Sequence, residues 1–255
     1  VIRVINRDKV ACEERVQSAT RFFNDSESKK YDFNSKDADF VISTIQKTFI
    51  HRQGETLDGT PLLGTPFILS IWQKFIIYNL LGFFKKGTKI RRFKEAFIYI
   101  PRKNGKTLFV SALAWALGLL ERKSGSVVYI VATSLKQTME SYDNIYNSLT
   151  KNIYDSEADA RADGWRILNN NMEHSISHTD LGGGSLKIVA LPSNPDSQDS
   201  FNSNIQICDE LHAYKNAKQY NVIRESGKAY SNKLCIGITT AGDKKNSFCY
   251  RRLMY

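Results

Sequence analysis

Several features that would restrict the class of protein are scarce or missing in this sequence. The 255 residues contain four cysteines, Cys12, Cys208, Cys235 and Cys249, with no CxxC pair, and the four histidines show no metal-ligand spacing. This pattern favours reduced thiols in a reducing compartment over a disulfide framework or a zinc site. The longest apolar run, residues 108–120, is too short to cross a bilayer, and no signal-peptide pattern is present, so no membrane partner is expected.

The overall composition is that of a folded globular protein, with 42% hydrophobic and 24% charged residues. At about 150 residues per domain, the length suits one large domain or two small ones. The net charge of +10 is unevenly spread, because residues 61–106 carry ten basic residues and one acidic residue. This concentration favours a polyanionic partner or a phosphate ligand, and the alternative is a solvated lysine-rich loop.

Hydrophobic periodicity divides the chain into a helical first part and an alternating second part. Apolar residues spaced three and four apart predict helices over 10–23 and 38–50, and a loop rich in Gly and Pro precedes an apolar helix over 70–84. Further on, helices are predicted over 106–122 and 135–149, with strands at 96–100, 127–132, 167, 174–177, 186–190, 205–208 and 233–238. The alternation predicts an α/β fold with a mainly parallel sheet flanked by helices. We assign residues 1–60 to a helical N-terminal segment and 61–255 to the domain that contains the sheet.

The loop after the strand at 96–100 ends in Gly-Lys-Thr, as phosphate-binding loops do. Gly105 lets the backbone approach a phosphate closely, and the N-terminus of the next helix offers N–H groups and a favourable dipole. In such loops the lysine, here Lys106, contacts the β- and γ-phosphates, and the hydroxyl of Thr107 coordinates Mg²⁺. The usual first glycine is replaced by Ile100, so the alternative is a basic turn in front of a helix.

Two carboxylates, Asp209 and Glu210, follow the apolar strand at 205–208. This is the arrangement of a Walker B site, in which Asp209 holds Mg²⁺ and Glu210 activates the attacking water. The alternative is an acidic cap at the start of a helix. We interpret the neighbouring His212 as a structural or supporting residue rather than as a base.

Three segments together resemble the ATPase domain of large terminase subunits of tailed bacteriophages, the motors that package double-stranded DNA into procapsids. They are Arg-Lys-Asn-Gly-Lys-Thr at 102–107, Asp-Glu-Leu-His at 209–212 and Thr-Thr-Ala-Gly at 239–242. The phosphate loop of that family also lacks the first glycine and has an early arginine. The resemblance covers about residues 62–242 and implies a P-loop NTPase fold of the ASCE or RecA-like kind.

The resemblance implies roles for individual residues. Gln73 resembles the glutamine that recognises adenine, with a polar residue on a helix face as the alternative. Arg102 resembles the arginine that senses or stabilises the γ-phosphate, or else only positions the nucleotide. Thr239, Thr240 and Gly242 resemble the motif that couples hydrolysis to DNA movement, with a strand-end turn as the alternative. The implied nucleotide-binding residues are Gln73, Arg102, Lys103, Asn104, Gly105, Lys106 and Thr107. The implied catalytic residues are Glu210, Arg102 and Lys106, and the implied Mg²⁺ ligands are Thr107 and Asp209.

We therefore expect hydrolysis of ATP, with Mg²⁺, that powers translocation of double-stranded viral DNA in the cytoplasm of the infected bacterial host. The implied partners are DNA, a small terminase subunit, and further copies of the chain in a ring on a portal protein. The candidates for DNA or partner contact are Lys85, Lys86, Lys89, Arg91, Arg92 and Lys94.

Two alternatives to this function stay open from the sequence. One is another nucleic-acid-dependent P-loop ATPase, such as a superfamily-two helicase, and the other is a non-motor nucleotide-binding module. Full-length large terminases also carry a nuclease domain, and the 13 residues after Gly242 (255 − 242) cannot form one, so no nuclease activity is expected in these 255 residues.

Overall fold

The computed structural model of the chain describes residues 1–191, 202–214, 217–242 and 247–253. The strands of its main sheet are β3 (Glu95–Tyr99), β4 (Ser126–Val131), β5 (Arg166–Asn169), β6 (His174–His178), β7 (Leu186–Leu191), β8 (Ile205–Cys208) and β9 (Leu234–Thr239). These seven strands are arranged in the order β3-β9-β8-β4-β7-β6-β5. The pairs from β3 to β7 are parallel, and β6 pairs antiparallel with both β7 and β5. The predicted α/β fold with a mainly parallel sheet is confirmed.

Helices flank this sheet, and a separate two-stranded antiparallel sheet precedes it in the chain. The helices are α1 (Ile2–Ile5), α2 (Glu13–Ser26), α3 (Lys36–Thr48), α4 (Ile71–Gly82), α5 (Lys106–Leu120), α6 (Leu135–Ser148), α7 (Glu157–Ala162), α8 (Lys218–Glu225) and α9 (Phe248–Leu253). Strand β1 (Tyr31–Phe33) pairs antiparallel with β2 (Phe83–Lys85). Among the described residues, no helix has the length and hydropathy needed to span a membrane.

The central strands and α5 form the interior of the molecule. Every residue of β8 and of β9 is buried, as expected for strands covered on both faces. Helix α5 is apolar around most of its circumference, and eleven of its fifteen residues are buried. Gly118 lies where α5 approaches the sheet most closely, because a Cβ at this position would collide with Leu186 and press on Val128. The sequence of α5 thus fits a helix held between other helices and the sheet.

Most long elements lie within a few residues of their predicted positions, while several short ones were not predicted. The pair β1–β2 and the helices α7 and α8 are absent from the sequence-based assignment, because short elements give little periodicity. Ala38, Val41 and Ile45 of α3 belong to the same buried cluster as α5 and the sheet. The boundary at residues 60/61 stays a prediction, although α3 packs into the core of the sheet-containing part.

Two members of the predicted basic contact cluster point into the protein, which corrects that part of the prediction. Arg91 is 1% exposed and forms an ion pair with Glu121. Its backbone N–H donates to Asn232 Oδ1 at 2.9 Å, and its Nη2 donates to the Asn232 carbonyl at 3.1 Å. The planar guanidinium suits such buried, multiply bonded sites better than an ammonium group. Arg91 therefore anchors the segment between β2 and β3.

Arg92 is partly exposed, but its guanidinium is occupied by contacts within the fold. It pairs with Asp25 of α2, and its guanidinium lies 4.3 Å from the ring centroid of Tyr31 and 4.7 Å from that of Phe93. The outward-facing basic residues of this segment are Lys85, Lys86 and Lys89, with Lys94 half-buried. Lys86 also pairs with Asp32. The four lysines remain the candidates for contact with DNA or a partner.

The Arg91–Glu121 pair leads to a prediction about stability. Burial raises the pKa of the Glu121 carboxyl, and Arg91 opposes that shift. Replacing Arg91→Ala leaves a largely buried carboxylate without its cation, so we expect the free energy of unfolding to fall by about 3–5 kcal/mol. The exposed Lys89→Ala variant is the control and should differ from the wild type by less than about 0.5 kcal/mol. Urea denaturation at pH 7 measures both, and equal losses in the two variants would contradict the buried pair.

Candidate nucleotide-binding site

The strand order brings the three predicted motifs to one edge of the sheet. Strand β9 lies between β3 and β8, and all three are parallel, so their carboxyl ends meet at the same edge. Tyr99 pairs in register with Thr239, and the backbone N–H of Ile100 donates to the Thr239 carbonyl at 3.1 Å. The phosphate loop, the acidic pair and the segment from Thr239 to Gly242 are therefore neighbours in space.

The loop between β3 and α5 has the backbone shape that an anion site needs. Gly105 has φ +67°, and Lys103 is one of the few described non-glycine residues with a positive φ, at +64°. The side-chain amide of Asn104 donates to the carbonyls of Pro101 and Arg102 at 3.2 and 3.1 Å, which tightens the turn. No side chain caps α5 at Gly105, so the first N–H groups of the helix remain available to an anion.

Arg102 and Lys103 are exposed in this loop, whereas Lys106 is 8% exposed. The Nζ atom of Lys106 lies 3.5 Å from Glu210 Oε1. A buried ammonium group requires such a counter-charge, so the loop and the acidic pair are held together electrostatically. The structure brings Lys106 and Glu210 together as the sequence suggested, while the roles of Arg102 and Lys103 stay predictions.

Thr107 and Asp209 supply two oxygen atoms at the base of the loop. Thr107 Oγ1 is 3.5 Å from Asp209 Oδ2, and Asp209 is 3% exposed. Mg²⁺ prefers oxygen ligands, keeps several of its waters and commonly takes only one or two ligands from the protein. This pair of oxygens beside a phosphate loop fits that chemistry.

The charge of Asp209 is not fully balanced by its surroundings. Burial, followed by the neighbouring Glu210 carboxylate, raises the pKa of Asp209 to about 6, although the Glu210 N–H donates to Asp209 Oδ1 at 2.8 Å and Lys106 is near. The ionised carboxylate is therefore less stable in this site than it is in water. A bound cation would remove that cost, which supports a metal-binding role for this residue.

Glu210 combines an unusual backbone with an unpaired oxygen. Its φ of 54° and ψ of 47° place it in the left-handed region, which costs a non-glycine residue about 1 kcal/mol or more. Its Oε2 atom is buried and accepts no hydrogen bond from any described residue. A buried acceptor without a donor is uncommon in folded proteins, and such groups occur at catalytic sites.

Gln73 sits in the first turn of α4 and is buried. Its Oε1 accepts from Ser70 N at 2.7 Å and lies 3.0 Å from Ser70 Oγ, forming a capping box that the Ser-x-x-Gln spacing could have predicted. The ring of the adjacent Trp72 packs against Phe109 of α5 at 5.5 Å between centroids. The start of α4 therefore contacts α5 through Trp72, and recognition of adenine by Gln73 stays a prediction.

The segment at the end of β9 is tied to the acidic pair through His212. Thr239 Oγ1 accepts from the His212 N–H at 2.9 Å and donates to the Thr240 carbonyl at 3.1 Å. Thr240 is buried, and its Oγ1 has no partner among the described residues, whereas Gly242 is exposed. Sequence reasoning gave His212 only a supporting role, and its spacing from Glu210 was the one available signal for these contacts.

The raised pKa of Asp209 predicts a pH-dependent effect of Asp209→Asn on the nucleotide-free protein in the presence of a chelator. Below about pH 3 the carboxyl is neutral in both the folded and unfolded states, because an unfolded aspartate has a pKa of about 3.9. As the pH rises toward 6, the unfolded state loses this proton first, so the wild type loses stability that the neutral amide keeps. We expect the variant to become more stable than the wild type by about 3 kcal/mol above pH 7. Urea denaturation from pH 4 to 8 measures this, and a gain that shrinks as the pH rises would contradict it.

Comparisons with known proteins place the chain in one family. A model of the family described as the terminase large subunit, ATPase domain, matches residues 71–255. The large terminase of bacteriophage HK97 has a similar fold, with a TM-score of 0.62 and 18% identity over 82% of this chain and 38% of that protein. The ATPase domain of the Thermus phage P74-26 large terminase gives a TM-score of 0.43 and 15% identity over 61% of this chain and 64% of that chain.

No curated protein sequence matches the chain. The chain spans 38% of the length of the HK97 protein, and at 18% identity that likeness concerns the fold alone. The family match covers more than half of the chain and includes the phosphate loop, the acidic pair and the end of β9. The chain therefore belongs to the family of terminase large subunit ATPase domains.

Proposed function

We propose that the chain hydrolyses ATP to ADP and phosphate with Mg²⁺, and that this hydrolysis powers translocation of double-stranded viral DNA into a procapsid. The observation that carries the proposal is the convergence of the phosphate loop and the acidic pair, with Lys106 Nζ 3.5 Å from Glu210 Oε1. Membership of the terminase ATPase family supports the link to DNA packaging.

We assign each residue of the site a separate role in phosphoryl transfer. The N–H groups at the start of α5 and Lys106 bind the phosphates, and Arg102 lies in the same loop to approach the γ-phosphate. Thr107 and Asp209 are the residues that would hold Mg²⁺, and the ion would neutralise charge on the phosphates. Glu210 orients the attacking water and accepts its proton through Oε1 when Lys106 releases that atom.

The ion pair between Lys106 and Glu210 implies an exchange of partners when nucleotide binds. Lys106 has one ammonium group, and phosphate oxygens carry more negative charge than a carboxylate. As Lys106 turns toward the phosphates, Glu210 loses its cation, and its Oε1 atom becomes free to accept from the attacking water. Nucleotide binding therefore prepares the base in the same movement that holds the phosphates.

Movement of DNA requires contacts outside this site. The proposal assigns Thr239, Thr240 and Gly242 to coupling, because they lie beside the acidic pair at the end of β9. Lys85, Lys86, Lys89 and Lys94 are the basic residues that remain for DNA phosphates or a neighbouring subunit. Membership of the family also supports proposals about partners and location. We propose that the chain forms a ring of copies on a portal protein, acts with a small terminase subunit, and works in the cytoplasm of the bacterial host.

The first test compares ATP hydrolysis by the wild type, Lys106→Ala and Lys123→Ala, with and without long duplex DNA. Lys106→Ala should reduce turnover by about 100-fold or more, because the phosphates lose their cation. Lys123 is exposed in the turn after α5 and should be neutral, so it is the matched control. Stimulation by DNA supports a motor, whereas capture of the γ-phosphate by a small-molecule acceptor would overturn that assignment.

The second test is Glu210→Gln, which keeps the size of the side chain and removes its basicity. Turnover should fall by about 100-fold or more, the usual contribution of a general base. Binding of a fluorescent ATP analogue should stay within about threefold of the wild type, since Glu210 is not assigned to the phosphates. Wild-type turnover in this variant would remove Glu210 from the mechanism.

A further inference from the structure

The short turn Leu211–Ala213 lies along the carboxyl end of β9. Leu211 covers Gly237, where an added Cβ would collide with the leucine side chain. At Gly242 an added Cβ would lie 3.2 Å from His212 Cβ. We call residues 239–242 the coupling segment. His212 is held against Thr239 at one end of this segment and against Gly242 at the other.

The imidazole of His212 stands between the proposed base and the coupling segment. Its Nδ1 atom is 3.1 Å from Thr239 Oγ1 and 3.0 Å from Glu210 Oε2. The contact with Thr239 has the geometry of a hydrogen bond. The contact with Glu210 does not, and Oε2 accepts no hydrogen bond from the described residues. Two acceptors therefore compete for one ring nitrogen.

The neighbouring hydrogen bonds bear on which nitrogen of the ring carries hydrogen. Thr239 Oγ1 accepts from the His212 backbone N–H and lies 3.8 Å from Cys249 Sγ, a second donor. Its hydroxyl is 3.1 Å from the Thr240 carbonyl, and when it donates there, the contact with the ring requires hydrogen on Nδ1. The same Nδ1–H is the natural donor for Glu210 Oε2. A small rotation of the ring moves that donor from one oxygen to the other.

We propose that His212 is a positioning residue that links the base to the coupling segment, an inference that rests on the proposed ATPase function. While Lys106 pairs with Glu210, the Nδ1–H of His212 is donated to Thr239 Oγ1. When Lys106 turns to the phosphates, the carboxylate left behind attracts the Nδ1–H to Oε2. No proton leaves the ring, and only the hydrogen-bond partner changes.

This exchange has a consequence on each side of the ring. Glu210 gains a donor that fixes the orientation of its carboxylate and leaves Oε1 for the attacking water. Thr239 loses one of the two hydrogen bonds that it accepts from His212 and keeps the one from the backbone N–H. The end of β9 thereby changes its bonding according to whether Lys106 is paired with Glu210.

A matched pair of variants tests the donor rather than the shape of the side chain. His212→Asn places an amide N–H near the position of Nδ1, whereas His212→Leu has nearly the same shape and no donor. We expect kcat of the Leu variant to fall about tenfold or more, the effect of losing one hydrogen bond to a charged group, with KM for ATP changed less than about twofold. The Asn variant should keep kcat within about threefold of the wild type. A wild-type kcat in the Leu variant, or an equal loss in both variants, would overturn the inference.

Two further measurements separate this inference from the proposed function. Wild type and Glu210→Gln are assayed in parallel, and absence of Glu210-dependent hydrolysis in the wild type is failure of the proposed function. Independently of activity, two-bond ¹H–¹⁵N spectra of the nucleotide-free protein at pH 8 report the tautomer of each histidine. The inference requires His212 to be neutral with hydrogen on Nδ1, and hydrogen on Nε2 alone would overturn it.

Discussion

A buried lysine and two carboxylates share the carboxyl ends of neighbouring strands, and the balance of these charges governs the candidate site. Lys106 is 8% exposed and Asp209 3% exposed, so water screens neither of them well. Lys106 is paired with Glu210 at 3.5 Å, while Asp209 retains a pKa raised to about 6 by burial and by Glu210. The site is one positive charge short of balance, as expected of a place that receives a divalent cation with an anionic ligand.

The fold places these charges by burying the elements that carry them. Helix α5 is covered on nearly all sides, so its first residue, Lys106, has a fixed position at the edge of the sheet. Strands β8 and β9 are wholly buried, and Asp209 directly follows one while Thr239 ends the other. The exposed loop between β3 and α5 is therefore attached to rigid elements on both sides, as a site that must hold a phosphate in one geometry requires.

The motifs were predictable because each is local in sequence and sits at the end of an element with a strong pattern. Gly105 and Lys106 follow an apolar strand and open an apolar helix, and Asp209 follows four apolar or buried residues. Contacts between the motifs were harder to predict from the sequence. The insertion of β9 between β3 and β8 depends on pairing across more than a hundred residues, and periodicity does not report which strands become neighbours.

By itself, then, the sequence determined the phosphate loop, the acidic pair, the alternation of strands and helices and the family to which they point. Tertiary structure alone decided which charges face inward. Arg91 and Lys89 lie two residues apart in one basic run, yet Arg91 is buried and Lys89 is exposed to solvent. Arg91 pairs with Glu121 and forms hydrogen bonds with Asn232. Tertiary structure also decided that His212 lies between Glu210 and Thr239. Both outcomes depend on residues brought together by packing, and burial is a property of the whole fold, so no local pattern of charge or hydropathy encodes them.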